Sequence, residues 1–172
     1  MFARSKMLLA LAGLSLLAAP AAAAPVSAPT LPSGRALLLI PLTLTKVQDL
    51  HFGSIVPSTT TAGWVRIDAV TGARTASAGL TLMPTDVGQR GQFAGAGSAG
   101  QQVIMALTPP LVLTSPGGDT IDVMAMSLDG PTTRTIAANQ SFFVGVGGVI
   151  FVAANQPEGL YTATYDLTAD YQ

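Results

Sequence analysis

The sequence predicts an all-β sandwich, and three observations predict it. Short runs in which apolar and polar residues alternate recur along the chain, the pattern of strands with one buried face. Clusters of Gly, Pro, Asn and Asp separate these runs, at a spacing that suits a sandwich of immunoglobulin-like size. No segment carries a convincing helical period. The clearest run is Gly159 to Gln172, in which Tyr161, Ala163, Tyr165, Leu167, Ala169 and Tyr171 alternate with Thr162, Thr164, Asp166, Thr168 and Asp170. A strand of that length has one core face and one wet face, and its edge needs a neighbour to cover it.

Composition narrows the class further. The chain has 172 residues, enough for one domain of ordinary size. It is 49% hydrophobic and 10% charged, too apolar for a disordered protein, and its 18 glycines and 12 prolines break up any helical one. The formal net charge of -1 gives no basic excess to attract nucleic acid or an anionic membrane surface. There is no cysteine, hence no disulfide, thiolate metal site or cysteine nucleophile.

Residues 1–23 read as a secretory signal peptide. Arg4 and Lys6 form a positive n-region, Met7 to Ala19 is apolar, and Pro20 precedes the alanines Ala21 to Ala24, with cleavage expected between Ala22 and Ala24. The apolar run falls short of the roughly 20 residues a membrane span needs. Losing Arg4 and Lys6 leaves six basic against nine acidic residues, and the expected location is the periplasm or a bacterial cell surface. Residues 24–35 form a proline-rich N-terminal arm, extended because Pro25, Pro29 and Pro32 forbid helix. Residues 36–172 read as a single sandwich domain.

Within that domain, Ala36 to Thr45 is a strand with Leu38, Ile40, Leu42 and Leu44 on one face. Its first half is apolar on both faces, as in a strand that inserts into something, and Pro41 marks an edge or a bulge. Leu50 to Val56 follows, with Gly53 suggesting a bulge or close backbone approach. Trp64 to Val70 alternates, and Trp64 and Ile67 are expected to help fill the core. Thr71-Gly72 makes a hairpin turn before Arg74 to Ala76. Further short strands are expected at Gly79 to Met83, Gln92 to Gly97, Gln101 to Leu107 and Leu111 to Thr114. After the Pro116 to Asp119 turn, Thr120 to Leu128 puts Ile121, Val123, Ala125 and Ser127 on one face and Met124, Met126 and Leu128 on the other. Ser141 to Ala154 has the β-branched and aromatic content of a central buried strand, in two halves meeting at Gly147-Gly148.

Candidate chemistry is sparse. His51 has only Asp49 near it in sequence and reads as structural, because a base or ligand needs convergent partners. No G-x-S-x-G elbow occurs. Asp119 and Asp122 flank a turn and read as solvated carboxylates rather than a calcium site. Gly95 to Gly100 precedes a strand, not a helix, so it is no phosphate cradle. Tyr161, Tyr165 and Tyr171 read as core packing of a strand before a sugar-binding strip. The expectation is no enzyme, no cofactor and no metal.

Pro41 to Lys46 (P-L-T-L-T-K) and Leu50 to Pro57 (L-H-F-G-S-I-V-P), followed by Phe143-Val144-Gly145 with Gly147-Gly148, Ala154-Asn155-Gln156 and Gly159-x-Tyr161, resemble the bacterial secreted family labelled domain of unknown function 4402. The resemblance covers residues 36–172. That family in turn looks like a relative of chaperone–usher pilus subunits and spore coat U-type proteins. Pilins are similar in their last strand, which opens on a glycine fourteen residues from the end and closes on a penultimate tyrosine; Gly159 and Tyr171 occupy those places. The resemblance implies a pilin-like sandwich whose final strand pairs with an assembly chaperone's strand and then with a neighbour's N-terminal extension, a form of strand addition. It assigns Gly159, Tyr161, Ala163, Tyr165, Leu167, Ala169 and Tyr171 to strand pairing, with Leu38, Ile40, Leu42 and Leu44 as the candidate donor strand. Many pilins carry a disulfide, which this chain lacks, and residues 24–35 make a poor alternating donor. Either residues 36–44 donate, or the fold closes on itself and stays a monomer. The expected function is a non-enzymatic secreted structural subunit, pilin-like, that assembles by strand exchange into a surface fibre or coat. The expected partners are further copies or a periplasmic chaperone and usher, with no nucleic acid and no membrane span in the mature chain. The alternative is a monomeric secreted binding module for a carbohydrate or a surface.

Overall fold

The computed structural model describes residues 26, 29–31 and 33–172, so the expected signal peptide, 1–23, lies outside the described residues. Residues Leu38–Gln172 form one compact unit. Among the described residues there are twelve strands and no helix: β1 (Thr43–Gln48), β2 (Ile55–Val56), β3 (Gly63–Ile67), β4 (Arg74–Ala76), β5 (Thr81–Leu82), β6 (Gly91–Ala96), β7 (Gln102–Thr108), β8 (Val112–Thr114), β9 (Thr120–Leu128), β10 (Thr133–Thr135), β11 (Ser141–Val152) and β12 (Asp166–Tyr171). All pairings are antiparallel. The all-β, sandwich-like class read from the sequence is the class observed.

The expected central strand is β11, and it is continuous through Gly147-Gly148. One of its edges pairs with β6 along Ser141–Val146 and then with β3 along Gly148–Val152. Its other edge pairs with β9 along Val146–Phe151. Beyond these neighbours, β1 borders β6, β4 borders β3 and β8 borders β9. A second sheet, ordered β10-β7-β12, packs its Val103, Met105 and Leu167 against Phe142, Val144 and Val146 of β11. Further along the same face of β11, Ile150 and Val152 join Val65 and Ile121 in a second core cluster. The β2–β5 ribbon contributes Ile55 and Leu82 to it, and Phe52 and Tyr161 also pack there.

Glycine in β11 answers to a close approach. The chain leaving β3 crosses β11, so a Cβ on Gly147 would run into the Ile67 carbonyl and the Ala69 amide, and one on Gly145 into the Ala69 carbonyl. The crossing is held by the turn after β3. There the Asp68 carboxylate accepts the Val70 and Thr71 amides and the Thr71 hydroxyl, as the expected Thr71-Gly72 turn requires. Those bonds from Thr71, and then Val70, hold the Asp68 carboxyl below the usual carboxylate range.

Four expectations need correction. Trp64 is 39% exposed, while Val65 and Ile67 are buried, so Trp64 lies on the outer face and the core phase is one residue on. In β9 the register shifts between Val149 and Ile150, which leaves Met124 as the extra residue of a bulge. The inward face therefore switches from Ile121 and Val123 to Met126 and Leu128, which a strict alternation cannot foresee. The strand expected over residues 36–45 begins only at Thr43, where β6 becomes available as a partner. The strand expected over residues 159–172 is β12 alone; residues 159–165 hold a single bridge, Thr162 to Thr114. β10 carried no sequence signal.

Two glycine substitutions test the crossing. Gly147→Ala is expected to destabilise the protein by roughly 1–3 kcal/mol, the usual cost of overpacking. Gly117→Ala, where a Cβ meets only ordinary contacts, should stay within about 0.5 kcal/mol of the parent. Urea denaturation of the two variants checks the contrast.

Candidate functional site

Both sheets end on an unpaired border, and the two borders face each other across one core. β12 is the last strand of its sheet, paired with β7 alone, and β1 is the last strand of the other, paired with β6 alone. The Gln172 amide bonds to the Gln102 carbonyl, so by antiparallel alternation Asp166, Thr168 and Asp170 direct their backbone groups to β7. Those of Leu167, Ala169 and Tyr171 point to the open side. On the other border the Gly97 amide bonds to the Gln140 carbonyl, which by the same alternation sets Thr43 and Thr45 against β6 and turns the backbone of Leu44 outward. The side chains at these positions, with Leu42, pack on the same core cluster from its rim.

Two tyrosines span the interval in place of a ladder. The Tyr171 hydroxyl donates to the Ile40 carbonyl (2.7 Å) and accepts from the Ser98 amide (2.7 Å), while the Ile40 amide donates to the Ser98 hydroxyl (2.7 Å). At the other end the Tyr165 ring meets Phe93 edge-on, with centroids 6.1 Å apart. Its hydroxyl lies beside Leu50 and Gly91. β1 and β12 thus run antiparallel alongside one another with side chains between them. The Tyr165 hydroxyl is buried and completes no hydrogen bond, although the Leu50 amide faces it. Burial pushes its pKa up and the Asp49 carboxylate adds to the shift; the Leu50 amide opposes both.

Beyond Tyr165 the interval widens into a cleft of about 750 Å³. One wall is Leu50–Pro57, the other Pro157–Tyr165, and the floor is the second core cluster, with Ile121, Val123, Ile150 and Val152. The first wall takes its shape from Gly53, whose φ of +74° suits glycine, and from Arg74, which donates to the carbonyls of Phe52, Ser54 and Met83. The Ser54 hydroxyl donates to Asp86 (2.7 Å) and is the main reason that carboxyl lies below its usual range, with His51, the Gly88 amide and Arg74 adding to the effect. The second wall is fixed by the Tyr161 hydroxyl, which donates to the Pro157 carbonyl and accepts from Gln156.

The expected strand-pairing residues divide accordingly. Leu167, Ala169 and Tyr171 lie on the open border of β12 with their side chains inward, as the alternation requires. Tyr165 closes the border. Gly159, Tyr161 and Ala163 form the cleft wall instead of strand; Tyr161 packs on the second core, and Ala163 is exposed. Of the candidate donor residues, Leu42 and Leu44 pack on the chain's own core. Leu38 and Ile40 are exposed. Ser98, which holds Ile40, was not singled out; it sits in a glycine-rich loop with no pattern of its own. His51 is exposed and approaches Asp86 at 3.4 Å rather than Asp49. Among the described residues, no group of acidic or histidine side chains is placed to hold a metal ion.

The family described as Domain of unknown function (DUF4402) matches residues 42–171. No curated protein and no solved structure matches the chain.

The two tyrosines should respond oppositely to loss of the hydroxyl. Tyr171→Phe removes two hydrogen bonds and is expected to cost roughly 1–3 kcal/mol in urea denaturation. Tyr165→Phe removes a hydroxyl that bonds to nothing and should be neutral or stabilising. Because folding raises the Tyr165 pKa, its contribution is constant below the unfolded value near 10.0 and is lost as pH rises above it. The urea midpoint of the parent should fall more steeply between pH 9 and 11 (about one unit either side of that value) than that of Tyr165→Phe.

Proposed function

The chain belongs to the DUF4402 family, and from that premise we propose that it is a secreted, non-enzymatic structural subunit, pilin-like, that assembles by strand addition between β1 and β12. The observation that carries this reading is the pair of open borders over a shared core. A strand laid between them gains the backbone groups of Leu44, Leu167, Ala169 and Tyr171 as partners and covers the half-buried side chains at the rim. It also offers a bonding partner to the buried Tyr165 hydroxyl. Complete burial of a large apolar side chain is worth roughly 1.5–3 kcal/mol, so even partial further burial of several such residues in register makes a durable joint. Further copies of the chain, or a chaperone that presents a strand, fit such a slot.

A second reading, a monomeric binding module, draws support from the outer face of the larger sheet. Trp64 and Phe151 are directly opposed across β3 and β11, both exposed, with Arg66 and Asp122 on adjoining strands. Aromatic faces beside charged groups suit a carbohydrate.

The readings separate in one pair of measurements. Strand addition predicts that residues 24–172 run as a ladder in unboiled SDS gels and that deleting residues 25–41, which spares Leu42 and Leu44, collapses the ladder to monomer. A protein that stays monomeric in every condition, yet gives a glycan-array signal lost in Trp64→Ala, would overturn it in favour of the binding module.

A further inference from the structure

We propose that Trp64 and Phe151 form, with Asp122 and Arg66, a stacking site for a neutral, ribbon-like saccharide of β-linked hexoses, and that this site is open whether or not copies of the chain assemble. The inference rests on the aromatic pair of the second reading above, but it does not need the monomer. Val65, Ile150 and Val152 fill the second core, so Trp64 and Phe151 point the other way by strand alternation. The site therefore lies on the face of the sheet opposite the cleft, whose floor includes Ile150 and Val152.

Backbone pairing sets the two rings side by side. The Trp64 carbonyl accepts the Ser77 amide, and the Trp64 amide donates to the Ser77 hydroxyl (2.9 Å). The backbone of Trp64 is thus turned toward β4. Trp64 then meets Phe151 as a non-hydrogen-bonded pair, the closer of the two antiparallel arrangements, with α-carbons about 4.5 Å apart. Asp122 continues the same row on the far side of Phe151. Arg66, two residues along β3 from Trp64, shares its face and is held by Asp68 at 3.1 Å. An aromatic step fixed by the sheet loses little freedom when something settles on it.

The chemistry of this step selects the occupant. The face of an aromatic ring is partly negative and attracts C–H bonds. A hexose offers C–H bonds on its ring face and hydroxyls at its rim, which the Asp122 carboxylate can accept and the Arg66 guanidinium can supply with donors. Among the described residues Arg66 is paired with Asp68 and Asp122 is in no ion pair, so the face carries no positive excess for an anionic polymer. A stable protein partner needs roughly 800 Å² on each side. Trp64 and Phe151 are 39% and 38% exposed, and two rings so largely covered offer far less. Two rings abreast on a sheet suit a flat chain of sugars better than a bent one.

Trp64 is the only tryptophan of the chain, so its emission reports directly on the site. The full mature protein is titrated with cellohexaose and, separately, with chitohexaose, both neutral β-linked hexose oligomers. At least one should change Trp64 emission to saturation. Phe151→Ala should raise the half-saturation concentration about tenfold, the loss of one stacking contact, and Phe151→Tyr should restore it. Asp122→Asn, exposed and conservative, should raise it about threefold while the urea midpoint stays at the parent value. Phe143→Ala removes an exposed ring from the same face of β11 beyond the crossing at Gly145 and should leave the titration unchanged. Deleting residues 25–41 should leave it unchanged as well. If the titration saturates and the parent also forms the SDS-resistant ladder, the site stands and the monomeric reading falls. If neither oligomer gives a saturable response, or if Phe151→Ala and Asp122→Asn both titrate like the parent, the site falls and strand addition is untouched.

Discussion

Everything in this fold is arranged around the saturation of β11. Its twelve residues carry β6 and β3 along one edge and β9 along the other, so its own backbone leaves little for any outside partner. One of its faces carries both core clusters in succession, first Phe142, Val144 and Val146, then Ile150 and Val152. The opposite face is crossed at Gly145 and Gly147 by the chain leaving β3, which is why side chains are missing there. The inward residues of the apolar run from Phe142 to Val152 are buried by this arrangement, while Phe143 and Phe151 lie exposed on the outer face.

A saturated centre moves the unsatisfied backbone to the borders. β1 has only β6 and β12 has only β7, and each turns the backbone of its inward residues toward the gap. Tyrosine is suited to bridging such a gap, since its ring supplies apolar area and its hydroxyl can reach a carbonyl beyond hydrogen-bonding range of the opposing strand. Tyr171 succeeds, satisfying Ile40 and Ser98 together. Tyr165 does not: its hydroxyl is buried without a partner. An orphan donor beside an apolar cleft is an uncommon defect in a finished core, and it falls where an added strand would run.

How much of this was legible in the sequence depended on whether local pattern and tertiary environment agreed. β12 was legible because Leu167, Ala169 and Tyr171 face one core with no bulge between them. β9 was legible in extent but not in phase, because Met124 is displaced by a register shift that β11 imposes. Trp64 was expected to help fill the core. The inward residue is its neighbour Val65, and hydrophobicity alone cannot choose between adjacent apolar residues in a strand. Gly159 to Ala163 continue the alternation of β12, yet no strand is available to them beyond the Thr114 bridge, so they became a wall. Ser98 illustrates the opposite case: a single hydroxyl in a glycine-rich loop has no periodicity, and its bond to Ile40 spans 58 residues.

Pro41 gives the N-terminal side of the slot its logic. Before it lie four apolar residues in a row; after it, Leu42 and Leu44 alternate with Thr43 and Thr45. A continuous strand across this point would let the apolar run extend β1 along β6 and pass into the molecule's own sheet. Proline has no amide to donate, so the ladder cannot propagate through it, and β1 begins two residues later. The bonds to Ser98 and Tyr171 then hold Ile40 at the rim. The residue that weakens this strand by the ordinary rules is therefore the one that sets where β1 begins.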